Sequence, residues 1–102
     1  MKKITLNSST VGGQSLSTLD LIIGAVNTPP QGGFDAKAMG KSCRILGRID
    51  RDDLREQIKA APVDIDFEDA DFDYIRECLE RARYTIPSPF ILETLKQFNI
   101  EA

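Results

Sequence analysis

Between Asp35 and Ala61 the cations Lys37, Lys41, Arg44, Arg48, Arg51, Arg55 and Lys59 recur at steps of four and three residues. In a helix, at about 100° per residue, their side chains fall within a wedge of roughly 80°, forming one basic stripe. Met39, Cys43, Leu46 and Ile49 lie opposite and read as the apolar ridge that faces a core. The pattern commits the middle of the chain to helix and requires a layer for its apolar side to pack on. It does not run unbroken: Asp50 and Asp53 would both fall on the ridge, and Asp50-Arg-Asp-Asp53 has the form of a fresh cap. A break near Asp50 is therefore expected, dividing Lys37, Lys41, Arg44 and Arg48 from Arg51, Arg55 and Lys59. The second piece should end near Ala61, before Pro62.

The flanking segments supply that layer. Lys2 to Leu6 alternates with Ile4 and Leu6 on one face, and Val63 to Phe67 alternates with Val63, Ile65 and Phe67 on one face. Two strands alone are marginal in water, so this pair should lie against helices. Asn7 to about Ser15 is rich in Ser, Thr and Gly and reads as a flexible loop. A phosphate-binding reading of Gly12 and Gly13 fails, because no Gly-Lys-Ser/Thr follows. Ser17 to Asp20 has the form of a capping box, opening a helix from Thr18 to about Val26 that is apolar nearly all round. Residues 28–33, with Pro29, Pro30, Gly32 and Gly33, form a turn-rich loop, after which Asp35 can cap the basic helix. From Glu68 a helix carries Phe72, Ile75, Leu79 and Ala82 inward and ends near Tyr84. Ser88 then caps a last helix with Pro89 at its first position and Phe90, Ile91, Leu95 and Phe98 on its apolar side. The expected fold is α+β: four or five short helices packed with a small two-stranded sheet, in a single compact domain over the 102 residues.

With 16 acids against 13 bases, the chain as a whole repels polyanions, which argues against a nucleic-acid binder. No apolar run is long enough for a signal peptide or a membrane span, so a cytoplasmic location without membrane contact is the expectation. Histidine is absent, which removes Ser/His and Cys/His catalysis and the commonest metal ligand. Cys43 and Cys78 both read as buried free thiols at helical core positions. Neither an enzyme nor a bound cofactor or metal is expected.

Two charged surfaces remain as candidate partner-binding sites. One is the basic stripe of Lys37, Lys41, Arg44, Arg48, Arg51 and Arg55; the other is the acidic segment of Asp64, Asp66, Glu68, Asp69, Asp71 and Asp73. The acids at Asp69, Asp71, Asp73 and Glu80 match four positions of a calcium-binding loop, but Tyr74 stands where that loop needs glycine, and the apolar spacing demands helix. The basic stripe carries no interleaved aromatics for base stacking. It has a bland alternative, a solvated face whose charge is neutralised by neighbouring acids.

The segments Ala25-Val-Asn27 with Pro30-Gln-Gly-Gly33, Cys43-Arg-Ile-Leu46 and Phe67-Glu-Asp-Ala-Asp-Phe72 resemble small uncharacterised accessory proteins encoded in tailed-bacteriophage genomes. The resemblance covers roughly Leu19 to Arg83, with a longer connection from Arg48 to Asp64 than those proteins lead one to expect. The resemblance implies a compact viral accessory protein in the host cytoplasm or the virion, and assigns no residue a role. Charge geometry and resemblance together lead to a non-enzymatic module that binds and modulates a host protein. The alternatives are a structural or assembly component of a phage particle, acting as a homo-oligomer, and a DNA-associated regulator using Lys41, Arg44 and Arg48.

Overall fold

The computed structural model describes residues 1–11, 13–84 and 87–100. In chain order the elements are β1 (Lys2–Leu6), β2 (Ser8–Val11), β3 (Gln14–Ser17), α1 (Thr18–Asn27), α2 (Ala36–Ile49), α3 (Asp52–Ala60), β4 (Val63–Phe67), α4 (Asp69–Arg81) and α5 (Pro89–Gln97). The architecture is α+β. β1 and β4 pair antiparallel with Ile4 opposite Ile65 and Leu6 opposite Val63, the register the alternating sequences require if their apolar rows are to share a face. The radius of gyration, 13.2 Å, matches the roughly 13 Å of a compact chain of this length.

α1 is the hub. It touches α2, α4, α5, β1 and β3. Its sequence permits this because Leu19, Ile22, Ala25 and Val26 are buried, with Leu21 and Ile23 half-buried around them. Ser17 caps it by accepting from the Asp20 amide at 3.0 Å. Asp35 caps α2 in the same way through the Ala38 amide at 2.7 Å. The helical run breaks at Asp50 and Arg51, where α2 ends and α3 begins. Ser88 caps α5, with Pro89 at its first position. That helix closes with Asn99 at φ 59°, the amides of Asn99 and Ile100 donating back to Lys96 and Leu95.

Two expectations need correction. Asn7 to Ser15 is not a loop: Ser8–Val11 and Gln14–Ser17 form a hairpin, a second two-stranded sheet, with Val11 opposite Gln14. Ahead of Gln14, Gly13 takes φ +81°, the left-handed conformation that hairpin turns need and glycine allows. The hairpin returns the chain to β1, where Thr18 N–H donates to the Asn7 carbonyl at 2.9 Å and Asn7 N–H to the Thr18 hydroxyl at 3.1 Å.

The second correction concerns the side of α2 that meets the core. Ser42, Ile45 and Ile49 are buried, whereas Met39 is 48% exposed and Cys43 is exposed. The buried line is thus rotated by roughly 75° from the Met39–Cys43–Leu46–Ile49 ridge, at 100° per residue. Ser42 explains the turn. Its hydroxyl donates to the Tyr74 hydroxyl at 2.6 Å, which donates in turn to the Ala38 carbonyl at 3.2 Å, and the Val26 carbonyl lies 3.4 Å from Ser42 as an alternative acceptor. A serine satisfied in this way is a core residue despite its polarity.

Candidate functional site

The rotation of α2 brings its basic flank against α4 and the end of β4. Arg44 forms an ion pair with Asp71, whose side chain is only 9% exposed. The Arg48 guanidinium sits 5.3 Å from the centre of the Phe67 ring, and Lys41 Nζ sits 5.6 Å from that of Tyr74. Past the break, Arg51 holds Asp53 through two bonds of 3.1 and 3.0 Å, and its guanidinium keeps the Asp53 carboxyl below the usual carboxylate range. Arg55 pairs with Asp50, and with Asp52 at 3.3 Å; the bond it donates to Asp50 is the main reason its pKa is raised. Lys59 pairs with Glu56 at 3.1 Å. Lys37 is exposed and, among the described residues, makes no ion pair. The stripe is therefore largely occupied by its own chain, and the break at Asp50 divides it.

The acidic segment is arranged differently. Asp64, Asp66, Glu68, Asp69 and Asp73 are exposed, and Asp71 alone is buried, drawn in by Arg44. Asp64 accepts the Thr5 hydroxyl at 2.7 Å across the β1–β4 pair. Asp69 pairs with the N-terminal ammonium of Met1 at 3.6 Å, and among the described residues no Lys or Arg side chain forms an ion pair with Asp64, Asp66, Glu68, Asp69 or Asp73. Asp64 and Asp66 project from the solvent face of the sheet, and Glu68 and Asp69 open α4, where the helix dipole favours negative charge. These five carboxylates make an acidic margin along β4 and the N-terminal part of α4. Asp71 belongs to the interior of the charge network and has to be taken out of this surface.

Other recesses lie away from both charged segments. One cleft of about 420 Å³ separates the C-terminal ends of α1 and α4, lined by Thr28, Pro29, Gln31, Arg81 and Arg83 among others. A shallow apolar groove follows, with Tyr84, Pro87, Pro89, Ile91, Leu92 and Leu95. The cleft joins helix ends that meet only in the fold, whereas the groove is lined by the contiguous stretch that leads into α5. Among the described residues, no group of three or more His, Cys, Asp or Glu side chains is placed to hold a metal ion. No helix among them is long and apolar enough to cross a membrane.

Burial pushes the Cys78 thiol and the Tyr74 and Tyr84 phenols above their ordinary pKa values. In the unfolded chain these groups lose their protons first, so above their ordinary pKa values the folded state holds more protons than the unfolded one. Stability should be unaffected by them near neutrality and should fall as pH rises beyond about 9. Urea denaturation between pH 7 and 10.5 checks this, and Cys78→Ala should flatten the first part of the decline.

Cys78 is buried, as its helical position led one to expect, and both cysteines are free; Cys43 faces solvent with its thiol 3.9 Å from the Met39 sulfur. The chain matches no protein-family model, no curated protein and no solved structure.

Proposed function

We propose that the chain is a non-enzymatic protein-binding module that engages a basic partner through the acidic margin of β4 and α4: Asp64, Asp66, Glu68, Asp69 and Asp73. One observation carries this reading: the carboxylates of that margin are exposed and unpaired with Lys or Arg side chains among the described residues, whereas most cations of the basic stripe already contact acidic or aromatic side chains of their own chain. A complementary surface steers association and selects partners by sign. The DNA-associated alternative loses support, because its cations Lys41, Arg44 and Arg48 are directed at Tyr74, Asp71 and Phe67. Self-association through opposite faces loses support for the same reason.

The resemblance to accessory proteins of tailed bacteriophages adds a context to the proposal, in which the partner is a host protein modulated in the host cytoplasm. Affinity capture from bacterial lysate, with and without nuclease and at low and moderate salt, tests it. The expected result is one stoichiometric protein that survives nuclease and weakens as salt rises. Loss of every partner on nuclease treatment contradicts the reading, and recovery of further copies of the chain alone points to an assembly component.

A further inference from the structure

The backbone of β4 is the open edge of its sheet. Gln97 of α5 accepts from Thr5 N–H at 2.8 Å and donates to the Thr5 carbonyl at 3.0 Å. The Thr5 backbone groups therefore point away from β4, and Thr5 with Asp64 is a non-hydrogen-bonded pair of the antiparallel ladder. Lys3 with Asp66, two residues along, has the same parity. It follows that N–H and C=O of both Asp64 and Asp66 point away from β1. Among the described residues these groups have no hydrogen-bond partner. Burial agrees with this geometry. Ile4 and Leu6 of β1 are 1% and 0% exposed, while Ile65 and Val63, directly opposite them, are only half-buried. The outer edge of β1 is thus covered at Thr5 by a glutamine side chain, whereas among the described residues nothing covers β4 at Asp64 or Asp66.

We propose that this edge accepts a further strand from a partner protein, an extended segment in which basic residues alternate with aliphatic ones. The inference rests on the acidic-margin reading and adds to it the shape of the partner. Its chemistry is read from β1, which already solves the same problem on the other side of β4. β1 sets Lys3 and Thr5 opposite Asp66 and Asp64 on the solvent face, and Ile4 and Leu6 opposite Ile65 and Val63 on the core face. A strand on the open edge meets the same two rows. Basic residues answer the carboxylates, and aliphatic residues cover the half-buried Val63 and Ile65. An antiparallel segment opposite Asp64 and Asp66 closes four backbone hydrogen bonds, the donor and acceptor of each residue. A second copy of β4 fits poorly, because antiparallel pairing with itself sets aspartate against aspartate.

The test uses the intact, isotope-labelled protein and a capped heptapeptide, Lys-Ile-Lys-Val-Lys-Ile-Lys, followed by NMR. Saturable shifts centred on residues 63–67 are expected, with exchange of the Asp64 and Asp66 amides slowed by about tenfold or more. A peptide N-methylated on the amides that face β4 should bind about tenfold more weakly, a loss of roughly 1.4 kcal/mol. Asp64→Asn with Asp66→Asn should weaken binding and reduce its salt dependence. Equal binding of the N-methylated peptide, with Asp64 and Asp66 amides still exchanging fast, overturns strand addition while leaving the acidic margin as a charge-based site. Equal binding of a peptide with Glu in place of Lys overturns the charge complementarity. Absence of any shift at millimolar peptide overturns the strand proposal. The acidic-margin reading fails by a separate result, when reversing Asp64 and Asp66 to lysine leaves partner capture unchanged.

Discussion

Replacing Phe98 with alanine is expected to destabilise the protein by about 3–5 kcal/mol. Phe98 is fully buried and stacks on Phe72 with ring centroids 4.9 Å apart and planes inclined by 26°. It also stands where α5 stops, one residue after the Gln97 amide that closes the edge of β1 and one before Asn99 in its left-handed turn. These constraints hold the helix end in place, so the surrounding side chains cannot collapse into the vacated volume. For a domain of this size the melting temperature should drop by more than about 12 °C. Phe90→Ala, in the half-buried first turn of the same helix, is the internal comparison and should cost less than about 2 kcal/mol. Thermal and urea denaturation followed by circular dichroism measure both. A Phe98→Ala loss below about 1 kcal/mol contradicts the packing described.

The second large effect is electrostatic. Arg44→Ala should cost about 1–3 kcal/mol, because it strands the carboxylate of Asp71 at a nearly buried position. The Arg44 side chain is 58% exposed, so water reaches the pair and places the cost in the lower part of that range. Asp71→Asn leaves a neutral group behind and should cost less than Arg44→Ala. In a double-mutant cycle the two changes together should cost less than their sum by about 0.5–2 kcal/mol. Additivity within about 0.3 kcal/mol would mean that Arg44 is free at the surface, and with it the basic stripe.

Much of the fold was legible because local signals agreed with one another. The β1–β4 pairing followed from two matched alternations, and Ser17, Asp35 and Ser88 marked helix starts that the structure places at the same residues. The break after Ile49 followed from aspartates that no apolar ridge could carry. The β2–β3 hairpin escaped notice because its strands are mostly Ser, Thr and Gln and carry no clear apolar alternation in sequence. Its signal was the Gly-Gly pair between two four-residue runs, which sequence reading assigned to flexibility instead of to a turn. The side of α2 facing the core escaped for another reason. Counting apolar residues favours Met39 and Cys43 over Ser42, yet Ser42 gains the hydroxyl of Tyr74, 32 residues away. Hydrophobic patterning contains no term for a distant partner.

The candidate surfaces failed to be separable for the same physical reason. In sequence, Asp71 is one acid among six, and Arg44 is one cation among seven. Only the fold joins them and so removes one charge from each surface. What remains in solvent is an acidic margin beside an open strand, and the alternation Val63-Asp-Ile-Asp-Phe67 had already placed two of its carboxylates on the outer face.

Partner capture with charge-reversed variants bears most directly on the division of roles between the two surfaces. Asp64→Lys with Asp66→Lys is to be compared with Arg48→Glu, each first shown to be folded by circular dichroism. The aspartate reversal is expected to abolish capture of a nuclease-resistant partner, while Arg48→Glu lowers stability by less than about 2 kcal/mol and leaves capture intact. Capture lost with Arg48→Glu and kept with the aspartate reversal would contradict it, and would return the basic helix to first place.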